Sequence, residues 1–164
     1  MLKGQTALVV AAGGICNGRG LASSLMQGAV GVWVGTRFVA SLEAGCSDEH
    51  KEEVVSCGFE GTERTLVLSG RPLRMKTNDY IRSWHAKPDK VRELCDAGVV
   101  PIEHDFDEGN DIDVPHLMGQ VAGAIEKIQP AGEIVAEMVD EAVAQLRLAN
   151  AYLNGGSQPP SSRL

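Results

Sequence analysis

From Thr6 to Ala12 the chain reads Thr-Ala-Leu-Val-Val-Ala-Ala, a short, mostly apolar run that stops at Gly13-Gly14. Without alternation between apolar and polar positions, the run predicts a strand covered on both faces, as in a parallel sheet. After a turn containing Asn17 and Gly18, Leu21, Ala22, Leu25 and Met26 fall at helical spacing ahead of Gly28. That stripe with its terminal glycine predicts a short amphipathic helix. Ala29-Val30-Gly31-Val32-Trp33-Val34 predicts a second strand, ended by Gly35-Thr36. Strand, helix and strand fill about thirty residues, the size of one βαβ unit, whose crossover is right-handed and whose strands are parallel. Both glycine-bearing loops then leave the same, C-terminal edge of the sheet.

Further along, a helix is expected from Ser41 to Val55, where Leu42, Val54 and Val55 punctuate a polar stretch. Residues 58–113 are less regular and read as an excursion from the α/β framework. Within them Thr65 to Gly70 predicts a strand, Arg71-Pro72 ends it, and an acidic loop is expected after Pro101. Helical periodicity returns with Leu117, Val121, Ala124, Ile125 and Ile128 on one face, is broken at Pro130, and resumes with Ile134, Val135, Met138, Ala142 and Leu146. These stripes read as core-facing surfaces and carry no chemistry. The domain is expected over 1–156, followed by a flexible polar tail at 157–164.

At 164 residues and 43% hydrophobic, the composition suits a soluble globular domain. A domain of this size buries roughly 70% of its unfolded surface, enough for a core without staples. No apolar run approaches the roughly 20 residues of a membrane span, and Met1-Leu2-Lys3-Gly4-Gln5 opens no signal-peptide core. The length also falls short of the ~250 residues typical of a complete eight-stranded α/β barrel.

The net charge is -7, and six acids between Glu103 and Asp113 account for nearly all of it. Between Arg64 and Arg92, eight Lys and Arg residues face only Asp79 and Asp89. A local basic stretch in an acidic chain suits one small anion better than nucleic acid, whose binding needs many phosphate contacts at once. Cys16, Cys46, Cys57 and Cys95 are widely separated, without metal-site spacing, and read as small buried hydrophobes in a reducing compartment.

Candidate chemistry lies in Gly13-Gly14-Ile15-Cys16-Asn17-Gly18-Arg19-Gly20 and in Val34-Gly35-Thr36-Arg37. Glycines at the end of a parallel strand let backbone N–H groups approach an anion, and the next helix adds its positive N-terminal end. A phosphate is the expected guest, with Arg37 as counter-charge; two such loops one βαβ unit apart match the phosphate position of many α/β barrels. A P-loop is excluded because Arg19-Gly20 stands where Lys-Ser/Thr is required. A dinucleotide fingerprint fails as well: Ser23 replaces its third glycine, and no acid ends the second strand.

Val9 to Ile15 with Gly18-Arg19-Gly20, Gly31 to Phe38, Ser69-Gly70-Arg71-Pro72-Leu73-Arg74, and Gly119-Gln120-Val121-Ala122-Gly123 together resemble the nitronate monooxygenase family, also called 2-nitropropane dioxygenases. The resemblance covers most of the chain. It implies an α/β fold that is part of a TIM (β/α)8 barrel: its last two strands, the closing helices and the inserted excursion at 58–113. It further implies an FMN cofactor and oxidation of alkyl nitronates by O2. Gly13 and Gly14 would contact the FMN phosphate; Trp33, at a position that is glutamine in many relatives, would form the second FMN-binding strand end with Val34, Gly35 and Thr36. In the family, a histidine serving the chemistry lies in a glycine-rich motif upstream of the Ala-Ala-Gly-Gly strand. This sequence starts after that motif, so the expectation is a truncated form without it, and no catalytic residue is assigned.

His50, His85, His104 and His116 have no such glycine-rich setting and read as surface or structural residues, His85 beside Trp84 being the first to test. The acidic run from His104 lacks EF-hand spacing and reads as a solvated loop without metal. Ser162-Arg163-Leu164 resembles a C-terminal peroxisomal address, which makes peroxisome or cytoplasm the expected location. The competing reading is a catalytically silent fragment or interaction protein without flavin. Sheet edges left bare by a partial barrel predict self-association in either case.

Overall fold

The computed structural model describes residues 7–153, so Thr6, the expected tail at 157–164 and the C-terminal tripeptide lie outside the described residues. In chain order the first elements are β1 (Val10–Ala12), α1 (Gly18–Met26), β2 (Gly31–Trp33), α2 (Thr36–Val39), α3 (Asp48–Val55), β3 (Thr62–Thr65) and β4 (Leu73–Lys76). They are followed by α4 (Asp79–His85), α5 (Pro88–Asp96), α6 (Pro101–Asp107), a 3-10 turn at Gln120–Ala124 and α7 (Ala131–Leu153). Two compact units result: one ends at Ala44 and resumes at Gln129, and the other is Gly45–Ile128. The excursion expected at 58–113 lies inside the latter.

In the first unit the predicted βαβ arrangement forms. β1 and β2 are parallel, with Val10 opposite Gly31 and Ala12 opposite Trp33. Asn17 caps α1 by accepting the Gly20 amide at 3.0 Å, and Gly28, at φ +95°, follows the helix end. α1 packs against α7 so closely that a Cβ on Gly18 would lie 2.5 Å from the Met138 carbonyl oxygen and the Ala142 nitrogen. Only glycine admits that approach. On α7, Ile134, Met138 and Ala142 are buried, whereas Val135, placed by sequence on the same stripe, is exposed. The carboxylate of Glu43 accepts the Ala131 amide at 2.8 Å and caps α7.

One expectation for the strands fails. Leu8 is 76% exposed, Val10 52% and Trp33 75%. Among the described residues the parallel sheet has only these two strands, too few to cover an apolar strand on both faces.

Helix α3 starts at Asp48, not at Ser41, because Ser47 caps it by accepting the His50 amide at 3.2 Å, and Asp48 and Glu49 favour its first turn. Upstream, Ser41 instead bridges Gln129 in parallel. In the second unit, β3 and β4 are antiparallel, with Thr62 opposite Lys76 and Thr65 opposite Leu73. The strand expected at Thr65 to Gly70 is displaced toward the N-terminus. Thr65 Oγ1 accepts the Val67 amide at 3.2 Å, which turns the chain and drives Val67 into a core with Met75, Ile81, Trp84 and Val91.

The second unit holds three helices missed in the sequence. Asn78 caps α4 by accepting the Ile81 amide at 2.9 Å, and Pro88 and Pro101 open α5 and α6, where a missing N–H costs nothing. The acidic loop expected after Pro101 is therefore helical as far as Asp107. Where a helix was expected from Leu117, the chain forms a bridge from Leu117 to Met75 and then the 3-10 turn. Ala122 and Ile125 are still buried, but Gly123 lies against Phe59, whose nitrogen would be 2.6 Å from a Cβ. No helix among the described residues is long and apolar enough to cross a membrane.

Candidate functional site

The parallel register sets the site. Because Ala12 and Trp33 are paired, Gly13-Gly14 and Val34-Gly35-Thr36 leave the sheet from neighbouring positions on one edge. Gly13 has φ +88° and Gly14 φ +71°, backbone conformations that favour glycine. Both are exposed, and a Cβ on either would meet nothing within 4 Å. The turn is thus an open backbone surface that a ligand oxygen can approach. Gly35 is also exposed and open, and its carbonyl accepts the Phe38 amide at 2.8 Å at the start of α2. Val34 and Thr36 are half-buried, whereas Trp33 projects into solvent. The six residues singled out by sequence therefore lie at two adjacent strand ends of one unit.

Helix α1 does not offer a bare positive end to that site. Its Gly18 amide donates to Glu141 Oε2 at 2.7 Å, and Arg19 Nε pairs with Glu141 Oε1 at 3.4 Å. With Asn17 holding the Gly20 amide, the helix already has an internal anion and a cap. An anion on Gly13-Gly14 would depend on loop amides. No spacing rule could have found Glu141, which is separated from Gly18 by 123 positions.

Arg37, expected as a counter-charge, is instead 7% exposed. Its guanidinium donates to Gln129 Oε1 at 2.6 Å and to the Ala40 carbonyl at 3.3 Å. Burial lowers its pKa, and Glu137 opposes that effect. Arg37 thus anchors the chain after β2 to the Gln129 bridge. Burial pushes the Cys16 thiol up, partly offset by Arg37, which disfavours a reactive thiolate.

The histidines belong to the second unit. His50 Nε2 donates to the Leu117 carbonyl at 2.7 Å, and its ring stacks on His116 with centroids 4.9 Å apart. His85 Nδ1 lies 2.9 Å from Glu63, and His104 meets Trp84 edge-on. Each has a structural neighbour within its own unit.

Asp105, assigned by sequence to a solvated loop, is buried. Its carboxylate accepts Trp84 Nε1 at 2.8 Å, Asn110 Nδ2 at 2.9 Å and the Tyr80 hydroxyl at 3.0 Å. Burial pushes the Asp105 carboxyl up, but these donors outweigh it and hold the group below its ordinary value. The half-buried Tyr80 hydroxyl beside that carboxylate is pushed up to about 12, chiefly by desolvation. Among the described residues, no group of three or more His, Cys, Asp or Glu is placed to hold a metal ion.

Comparison with known proteins adds a second line of observation. A family model described as nitronate monooxygenase matches residues 6–141. The chain is 35% identical over 159 residues to nitronate monooxygenase npaC of Metarhizium robertsii, covering 88% of this chain and 44% of that protein. It is 31% identical over 162 residues to a nitronate monooxygenase of Neurospora crassa, covering 92% of this chain and 42% of the relative. Among solved structures, FabK from Thermotoga maritima matches with a TM-score of 0.71 at 29% identity, over 90% of this chain and 48% of that one. Nitroalkane oxidase from Streptomyces ansochromogenes matches with a TM-score of 0.63 at 30% identity, over 87% of this chain and 42% of that one. The chain thus spans less than half the length of these proteins. The mixed α/β architecture and these neighbours bear out the expected fold class, part of a (β/α)8 barrel.

Proposed function

Because the chain belongs to the nitronate monooxygenase family, we propose that it carries the phosphate-binding part of an FMN site in an oxidoreductase that oxidises alkyl nitronates with O2. The observation that carries this reading is the turn after β1: two consecutive glycines at positive φ, exposed and with no atom where side chains would stand. In this assignment the Gly13 and Gly14 amides donate to the phosphate, and the strand end Trp33, Val34, Gly35 and Thr36 contributes backbone groups and the Thr36 hydroxyl. FMN supplies the redox chemistry when bound, and the protein supplies position and electrostatics. Arg37 acts indirectly, by holding the chain after β2 through Ala40 and Gln129. Purified chain reconstituted with FMN should retain close to one equivalent of flavin, measured by absorbance, and show nitronate-dependent oxygen uptake. A protein that stays colourless after reconstitution overturns the assignment.

The exposed apolar residues Leu8, Val10 and Trp33 favour a second reading, an interaction protein without flavin that self-associates through its sheet. That reading predicts colourless protein whose mass in light scattering rises with concentration. For location, Ser162-Arg163-Leu164 supports the peroxisome over the cytoplasm. A fluorescent reporter fused ahead of the chain should be punctate, and should become diffuse when the three residues are removed.

A further inference from the structure

We propose that a groove in the Gly45–Ile128 unit binds an amphipathic organic anion, an apolar chain or ring that ends in one carboxylate. The groove lies between β3, α4 and α5 and encloses about 720 Å³, within the range of small-molecule sites. Its floor is apolar, formed by Leu66, Pro72, Trp84, Pro88 and Val91, and two arginines, Arg64 and Arg92, stand along it.

The charges in and around the groove are unbalanced. Arg64 lies directly opposite Arg74 across the β3–β4 pair, an arrangement in which like charges repel. Arg74 is held by the Thr62 carbonyl at 2.8 Å and the Thr62 hydroxyl at 2.9 Å. Arg64 is exposed, and its guanidinium makes no hydrogen bond or ion pair among the described residues. Arg92 pairs with Asp89 at 3.4 Å, but the side chains are 72% and 94% exposed, so solvent weakens the pair and leaves the guanidinium available. Lys87 and Lys90 place their ammonium groups 5.9 and 5.5 Å from the Trp84 ring centre, adding positive potential at the wall. Against these cations, Asp96 is the one acid in the lining, and Glu63 is engaged by His85. An apolar floor with an excess of cations selects an apolar body with an anionic end. Guanidinium groups such as those of Arg64 and Arg92 bind a carboxylate through charge-assisted hydrogen bonds. The inference is independent of the flavin assignment, which concerns the other unit.

Trp84 forms part of the floor, so its fluorescence reports locally. In the full chain carrying Trp33→Phe, Trp84 is the remaining tryptophan of the two. Titration with decanoate below its micelle concentration should shift Trp84 emission saturably, with little response to decanol or acetate. The double variant Arg64→Gln/Arg92→Gln should bind decanoate at least tenfold more weakly, while Arg64→Lys/Arg92→Lys, which keeps the charge but not the planar fork of donors, should lose clearly less than the Gln variant. Unchanged circular dichroism confirms that each variant is folded. Absence of a saturable shift overturns the proposal. So does decanol binding as tightly as decanoate, or a folded Gln double variant that binds like the parent.

Discussion

The carboxylate of Glu141 on α7 accepts the backbone amide of Gly18 at 2.7 Å, where α1 begins. The glycine-rich pattern ahead of α1 predicts a phosphate at this helix end, but the protein fills it with its own anion. The same contact locks the two helices where Gly18 allows backbone to meet backbone.

Glu141→Ala should therefore lower stability by about 1–2 kcal/mol, the range for losing a charge-assisted contact to a helix terminus. Urea denaturation measures it. Flavin retention by the folded variant should change little, since the anion at α1 is separate from the Gly13-Gly14 turn. A variant as stable as the parent would show that the contact contributes nothing.

Gly14→Asp places a side chain at φ +71° and a negative charge where the phosphate is assigned. FMN retention should be abolished, with at least a hundredfold weaker binding by fluorescence quenching. Unchanged retention in a folded variant would remove Gly14 from the site.

Asp105→Ala leaves the Tyr80 hydroxyl, Trp84 Nε1 and Asn110 amide without their shared acceptor. A cost of about 1–3 kcal/mol is expected, chiefly because the buried Trp84 Nε1 loses its acceptor, while half-buried Tyr80 and exposed Asn110 regain water more easily. The sign of its pH dependence follows from the depressed native pKa. Stability from this carboxylate is complete above the unfolded value near pH 4 and is lost as pH falls through the lower native one. In Asp105→Asn the acid-side decline in melting temperature should be shallower than in the parent.

His116 titrates below its ordinary value of 6.5, chiefly through burial and then through His50. The charges facing it are His50 and Glu49 from α3, Lys76 from β4 and Asp113 from its own segment; the two acids favour protonation and Lys76 opposes it. The folded state therefore resists protonation. Its stability is highest above about pH 6.5 and declines as pH falls from there toward the native pKa. His116→Gln should flatten the melting-temperature profile across that interval, and an unchanged slope would assign the decline to other groups.

Some of the fold was legible from short-range pattern alone. The run ending at Gly13, the stripe from Leu21 to Met26 and the stripe containing Ile134, Met138 and Ala142 each signal an element strongly, and each element forms. The second unit was harder because α4, α5 and α6 are seven, nine and seven residues long. That is two turns or so, too few for periodicity to stand out. The available signals are Asn78, which caps α4, and Pro88 and Pro101, which open α5 and α6. At Leu66-Val67-Leu68 the apolar run predicts a strand, yet burial of Val67 needs only a turn stabilised by Thr65.

Sequence by itself determined where the glycine turns fall and the strand–helix–strand order around them, since each element is signalled by residues close along the chain. It also carried the family. Only the tertiary structure decided that Glu141 would cap α1, that Arg37 would turn inward to Gln129, and that Asp105 would leave solvent to join Trp84 and Tyr80. These are pairings of polar groups across 123, 92 and 21 positions. Desolvation makes such partners obligatory once packing buries them, and packing brings together residues that no local spacing relates.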